Sequence, residues 1–217
     1  MTRIILFLKL ASPHRARFFV YYKGMENFLE NNKVIDSRMS LAEALAQNPL
    51  INAPQEILER LALVSVQYYS FDGLLHEGQI VIDRRLEDDV RKIFEAIVLE
   101  RFPVQAVIPS SDSQYVWDDG LLMSANVSSS FNYRTIAGTQ TLSLHALGQA
   151  IDINPLLNPY IGVTGNVAPE GAAYDTTKLG TIKADSFLVK LFTELGWEWG
   201  GSWEGVKDYQ HFEKGLD

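Results

Sequence analysis

The chain contains four histidines, His14, His76, His145 and His211, and two of them stand close to acids. The first cluster is Ser143-Leu144-His145-Ala146-Leu147-Gly148-Gln149-Ala150-Ile151-Asp152, and the second is Asp208-Tyr209-Gln210-His211-Phe212-Glu213. There is no cysteine, so a metal must be held by His, Asp or Glu, and a thiolate nucleophile is excluded. For His145 and Asp152 to share one zinc, their donor atoms must both lie about 2.0–2.2 Å from it. On an unbroken strand, residues seven apart face opposite sides. On a helix they lie about 10 Å apart along the axis. A bend is therefore required, and Gly148 stands where one would serve. Asp152, flanked by Ala150, Ile151 and Ile153, should be buried and must find a partner. Taken singly, a histidine is usually structural, and an acid in an apolar strand can simply pair with an arginine. Their joint occurrence weakens both readings. Two histidines and one acid leave a fourth position for water, the arrangement of catalytic rather than structural zinc. His14 and His76 read as structural or surface residues.

Ser143-x-His145-x-x-Gly148-x-Ala150-x-Asp152, followed far downstream by Asp208-x-x-His211, resembles the signature of the VanY-type zinc D-alanyl-D-alanine carboxypeptidases. It is similar also to their D,D-dipeptidase relatives and to the related L-alanyl-D-glutamate endopeptidases. The segment Trp197-Glu198-Trp199-Gly200-Gly201-Ser202-Trp203 is similar to the tryptophan and double-glycine stretch before the last zinc ligand of that family. The resemblance runs from about Phe71 to Glu213 and does not reach residues 1–60. It implies an α+β fold, a small antiparallel sheet with flanking helices and a zinc site at one face.

The same resemblance implies that His145, Asp152 and His211 bind Zn2+ and that Asp208 is the catalytic base. Arg134, in the Tyr133-Arg134 pair, would face the substrate and stabilise the oxyanion. Ser143 would orient either the zinc loop or a substrate carboxylate. Glu213 is the rival base, and on a strand it shares the face of His211, where it would contact substrate or support the ligand. The implied reaction is hydrolysis of a peptidoglycan stem peptide. Zinc lowers the pKa of its water, and Asp208 takes the proton and returns it to the leaving amine. Trp203, with Trp197 and Trp199, would supply a wall, although Trp197 and Trp199 share one face and should lie inside. The carboxypeptidase type is expected first, with an L-Ala-D-Glu endopeptidase or a non-catalytic zinc module that grips cell-wall peptide as alternatives. A non-catalytic module predicts loss of the base, and Asp208 is present. The substrate implies the cell envelope, periplasm or exterior as its place of action.

Regular elements must hold these groups. Residues 1–60 read as a helical N-terminal extension, with a capping box at Ser40 to Glu43, and 61–217 as the zinc peptidase domain. Leu61 to Tyr69 and Gly78 to Ile82 suit two strands joined through Phe71-Asp72-Gly73. Leu86, Val90, Ile93, Phe94, Ile97, Val98 and Phe102 recur at three- and four-residue steps, predicting a helix over 84–102 that Pro103 closes. Val104 to Ile108 reads as a strand and 110–130 as loop. Phe131 to Arg134 and Ala150 to Ile153 alternate like strands. Residues 158–183 form an irregular excursion. Asp185 is placed to cap a helix through Leu195, which Gly196 stops, and 197–213 is strand-like.

Among the 217 residues, 47% are hydrophobic and 21% charged, which predicts a packed core and excludes a fibrous or disordered chain. The balance of 27 acids against 19 bases gives a net charge of -8, so nucleic acid is not expected as a partner. No apolar run approaches the roughly 20 residues of a bilayer span. Thr2 to Pro13, the one leader candidate, is interrupted at Lys9 and reads instead as a first strand or helix.

Overall fold

The computed structural model describes residues 33–46, 48 and 52–216. Residues 1–32, the greater part of the segment expected to be helical, lie outside them, together with His14 and the leader candidate. The described portion of that segment is a two-residue strand β1 (Val34–Ile35) and two single-turn helices, α1 (Leu41–Ala44) and α2 (Gln55–Leu58). A helical extension is therefore not supported. The capping box at Ser40 is real, with Glu43 N–H donating to Ser40 Oγ (3.2 Å) and Ser40 N–H to Glu43 Oε2 (2.7 Å). It starts a helix of one turn that ends at Ala44.

β2 (Leu61–Tyr69) and β3 (Leu75–Asp83) form the expected hairpin, in register from Leu61 opposite Asp83 to Tyr69 opposite Leu75. The turn is fixed by Asp72, whose Oδ1 accepts Leu74 N–H at 2.8 Å. β1 adds to the β3 edge in parallel. The helix α3 (Glu87–Leu99) follows a short 3-10 turn at Arg84–Leu86 and buries Val90, Ile93, Phe94 and Ile97 against Val64, Val66, Tyr68, Ile80 and Ile82. Each such side chain contributes about 1.5–3 kcal/mol of burial, as an upper bound.

The same core is shared by a second sheet. β6 (Ala150–Asp152), β11 (His211–Glu213) and β9 (Glu198–Trp199) run antiparallel in the order β6-β11-β9. Because side chains alternate, burying Phe212 and Ile151 in the core turns His211, Glu213 and Asp152 to the opposite face. Phe212 stacks on Phe192 of the helix α5 (Phe187–Glu194), with ring centroids 3.8 Å apart. Trp197 and Trp199 are both buried in that core, as their spacing predicts. The cap of α5 is Ser186, not Asp185, and its hydroxyl accepts Val189 N–H.

Residues 110–130 are not all loop. They contain α4 (Asp119–Ser124) and β5 (Val127–Ser128), which pairs in parallel with β4 (Ala106–Val107). A helix of six residues that buries only Leu122 carries too little periodicity to read. Residues 131–134 are extended but form no strand of their own. Phe131 N–H reaches Val81 O (3.2 Å) and Asn132 N–H reaches His145 O (3.1 Å). The excursion over 158–183 is largely irregular, as expected, apart from β7 (Tyr160–Ile161) and β8 (Val167–Ala168). β10 (Lys207–Asp208) completes their three-stranded sheet in the order β10-β7-β8. The whole is mixed α+β, with small sheets and five α-helices among the described residues. No described helix is long and apolar enough to cross a membrane.

Candidate metal centre

His211 and Asp152 are direct cross-strand partners on β11 and β6, which sets their side chains beside one another on one face of the sheet. His145 reaches them from a short 3-10 turn, Leu144–Leu147, that Ser143 opens and Gly148 closes. Ser143 Oγ accepts His145 N–H at 3.2 Å, which orients the loop and leaves its O–H free to donate. Gly148 has φ +65, and a Cβ there would come within 2.6 Å of Leu61 Cδ2 and 2.8 Å of Asp83 N. Both the backbone conformation and the space demand glycine. The bend expected between His145 and Asp152 is present, and it brings Asp152 back to the histidine.

The three side chains converge, His145 and His211 with one nitrogen each and Asp152 with both carboxylate oxygens. His145 Nε2 lies 3.1 Å from His211 Nδ1 and 3.2 Å from Asp152 Oδ2, and His211 Nδ1 lies 3.0 Å from Asp152 Oδ1. Ligands about 2.0–2.1 Å from a tetrahedral ion stand about 3.3 Å from one another, so this triangle fits around a single zinc-sized cation. All three residues are buried, at 3%, 7% and 6% exposure for His145, Asp152 and His211, and among the described residues no other group of histidines and acids converges in this way.

The outer nitrogens are also held. His145 Nδ1–H donates to Ser130 O at 2.6 Å, and His211 Nε2 is bonded to Glu213 Oε2 at 2.9 Å. Each contact fixes a tautomer that aims the other nitrogen's lone pair inward, the usual support of a metal-bound imidazole. Two lone pairs facing each other at 3.1 Å need a cation or a proton between them. Burial works against charging His211, but the Asp152 and Glu213 carboxylates outweigh it and raise its pKa to about 10. Burial likewise opposes ionisation of Asp152, and the two histidines override it, holding this carboxyl well below the usual range.

Asp208 ends β10. As a residue it is half-buried, yet its Oδ1 is sealed from solvent with no hydrogen-bond partner. Burial, reinforced by the Asp152 charge, raises its pKa to about 6 against the opposing pull of His211. It is therefore not the ordinary aspartate, ionised at about 3.9, that its type alone would suggest. Gly200 makes room for it, since a Cβ there would meet the Asp208 carbonyl at 2.6 Å. Trp203 packs against His211, with ring centroids 5.4 Å apart. Glu213, on the His211 face, contacts the ligand itself.

Arg134 accepts Ser143 N–H on its backbone carbonyl at 3.1 Å, and its guanidinium is held by an acid. Its Nη2 pairs with Asp119 Oδ2 at 2.8 Å, while its Nε is buried without a partner. His76 is structural, with Nδ1 2.9 Å from Asp36 and Nε2 3.1 Å from Asp72. Three participants carried no signal in the sequence. Ser130 acts through its backbone carbonyl, Asp119 lies in an unrecognised helix, and Tyr174 stacks flat on Tyr209, 3.6 Å between centroids, from within the irregular excursion.

Residues 137–214 match the family model described as D-alanyl-D-alanine carboxypeptidase, the peptidase family that the motif resembles. The matched stretch contains His145, Asp152, Asp208 and His211. No curated protein and no solved structure matches the chain.

Proposed function

We propose that this protein is a zinc-dependent peptidase that hydrolyses peptidoglycan stem peptides, acting as a D-Ala-D-Ala carboxypeptidase. The observation that carries this reading is the triangle of His145 Nε2, His211 Nδ1 and the Asp152 carboxylate, with edges of 3.0–3.2 Å, inside the segment that matches the peptidase family. Two neutral imidazoles and one carboxylate suit zinc in donor type and number, and they leave a position open to water or substrate. When bound there, such an ion supplies Lewis acidity to water and to the scissile carbonyl.

Asp208 is the general base in this reading. A carboxyl with a pKa near 6 is mostly ionised at neutral pH, yet basic enough to hold a proton and return it to the leaving amine. Gln210 bonds this carboxyl, while Oδ1 makes no hydrogen bond within the protein and is free to accept that proton. Glu213 orients His211 and is already engaged with it, which supports Asp208 over Glu213 as the base. Ser143 orients the turn that carries His145. Trp203 forms a wall beside His211. Arg134 offers the cation that a stem-peptide carboxylate or the oxyanion requires, with Asp119 fixing its guanidinium.

Incubating the zinc-loaded chain with purified peptidoglycan, and identifying the released fragments by mass spectrometry, tests the proposal. Free D-Ala is expected. New N-terminal D-Glu would make the protein an L-Ala-D-Glu endopeptidase. No release from a verified zinc-loaded sample would overturn the enzyme in favour of a binding module.

A further inference from the structure

Asp83, whose N–H holds the Gly148 carbonyl at 2.8 Å, also lines a surface hollow of about 440 Å3 together with Glu59, Arg60, Arg84 and Arg85. Three guanidiniums thus face two carboxylates, in a chain whose net charge is -8. One of those carboxylates is already saturated. Asp83 receives Arg85 Nε on Oδ1 (3.0 Å) and Arg85 Nη2 on Oδ2 (2.8 Å), with Arg85 N–H and Gln149 Nε2 as further donors. Its side chain is buried, so it turns little negative charge toward the hollow. Glu59 is left to balance two arginines.

Those two arginines are placed against each other. Arg60 and Arg84 extend the β2–β3 ladder by one step beyond the Leu61–Asp83 pair, with Arg84 N–H donating to Arg60 O at 2.8 Å. Both side chains are exposed just beyond the strand ends, and like charges held on hydrogen-bonded backbone neighbours repel. Among the described residues no acid pairs with either. Arg84 Nη2 donates only to the Glu59 carbonyl (3.1 Å), and the Arg60 guanidinium has no partner among the described residues. An anion shared between them removes the repulsion and uses the idle donors.

We infer that the hollow is a binding site for a phosphate-type oxyanion gripped between Arg60 and Arg84. Two guanidinium forks offer more N–H groups than the two oxygens of a carboxylate can accept, and the three terminal oxygens of a phosphate ester suit them better. The volume far exceeds a single phosphate group, so the ligand carries a further moiety, as the phosphate monoester of a soluble metabolite does. The site is independent of the peptidase reading.

Calorimetric titration of the full chain at low salt with inorganic phosphate, glycerol phosphate and poly(glycerol phosphate), with acetate as the carboxylate control, tests this. Saturable one-site binding of glycerol phosphate is expected. R60Q and R84Q should each weaken it by about tenfold, the cost of one charge-assisted contact. Binding of glycerol phosphate identifies a soluble monoester as the source, whereas binding of the polymer alone, whose diester offers two free oxygens, would overturn the monoester. Thermal unfolding establishes that the variants are folded, and R60K and R84K, which keep the charge and lose the fork, replace any that are not. The inference is overturned by absence of saturable binding to the wild-type chain, by binding that survives both substitutions, or by acetate binding as tightly as phosphate.

Discussion

Asp208 and Glu213 are both carboxylates close to His211, and their contacts separate their roles. Glu213 spends an oxygen on His211 Nε2 at 2.9 Å, whereas Asp208 Oδ1 meets no donor. Replacing Asp208 with Ala should therefore abolish turnover while leaving zinc in place, as read by fragment release and by metal content after dialysis. A D208A protein that still cleaves would transfer the base to Glu213. E213Q should behave in the reverse manner. An amide can still occupy the position but no longer draws the Nε2 proton as a carboxylate does, so zinc affinity should fall by about tenfold or more in competition with a chelator. Turnover at saturating zinc should survive. Unchanged affinity would mean that the 2.9 Å contact does nothing for the metal.

Two short elements position the candidate ligands, the His145 turn and the β6–β11 pair. In the turn the decisive residue is Gly148, because its left-handed φ and the approach of Leu61 and the Asp83 backbone leave no space for a methyl group. G148A is expected to destabilise the chain by about 2 kcal/mol or more, the sum of left-handed strain and overpacking, measured by urea unfolding. It should also weaken zinc binding, since the same turn aims His145. A variant with wild-type stability and affinity would show that the turn does not govern the ligand. The need for this bend was readable in the sequence, because a seven-residue spacing between His145 and Asp152 cannot close on one ion without it. Also readable were the β2–β3 hairpin, from its turn chemistry, and α3, from thirteen residues of clean periodicity. Among elements of two to six residues, β4, β6 and the capped start of α1 left a pattern in the sequence, whereas α4 and β5 did not. α4 buries one side chain, and β5 gains its order from β4, about twenty positions away, so local pattern carries no trace of either. The same holds for the contacts of the site. The motif points to His145, Asp152 and His211, but the Ser130 carbonyl and the Asp119 clamp on Arg134 depend on chain pairing that composition and periodicity do not encode.

Over the entire chain, the clustered charges couple metal binding, protonation and stability. Without metal, His211 has its pKa raised to about 10, above the ordinary imidazole value of about 6.5, so its protonated form stabilises the fold. That contribution is complete below about pH 6.5 and is lost as pH rises through the folded value. Asp208 acts in a lower window. Its pKa of about 6 exceeds that of an exposed carboxyl, so ionising it in the folded chain costs stability between about pH 4 and 6. The metal-free protein should therefore weaken in two steps as pH rises, with the larger step above pH 6.5, as followed by urea midpoints across the range. Zinc, on the proposed reading, should reverse the upper step, because a divalent ion would take the place of the His211 proton between the two imidazoles and the Asp152 carboxylate. Loading at pH 7 to 8 should release a proton, seen as a binding heat that varies with the ionisation enthalpy of the buffer, and should raise the urea midpoint most at the alkaline end. A metal-free chain that grows more stable from pH 6.5 to 10, or zinc binding whose heat ignores the buffer, would show that His211 is not the group that the metal displaces a proton from.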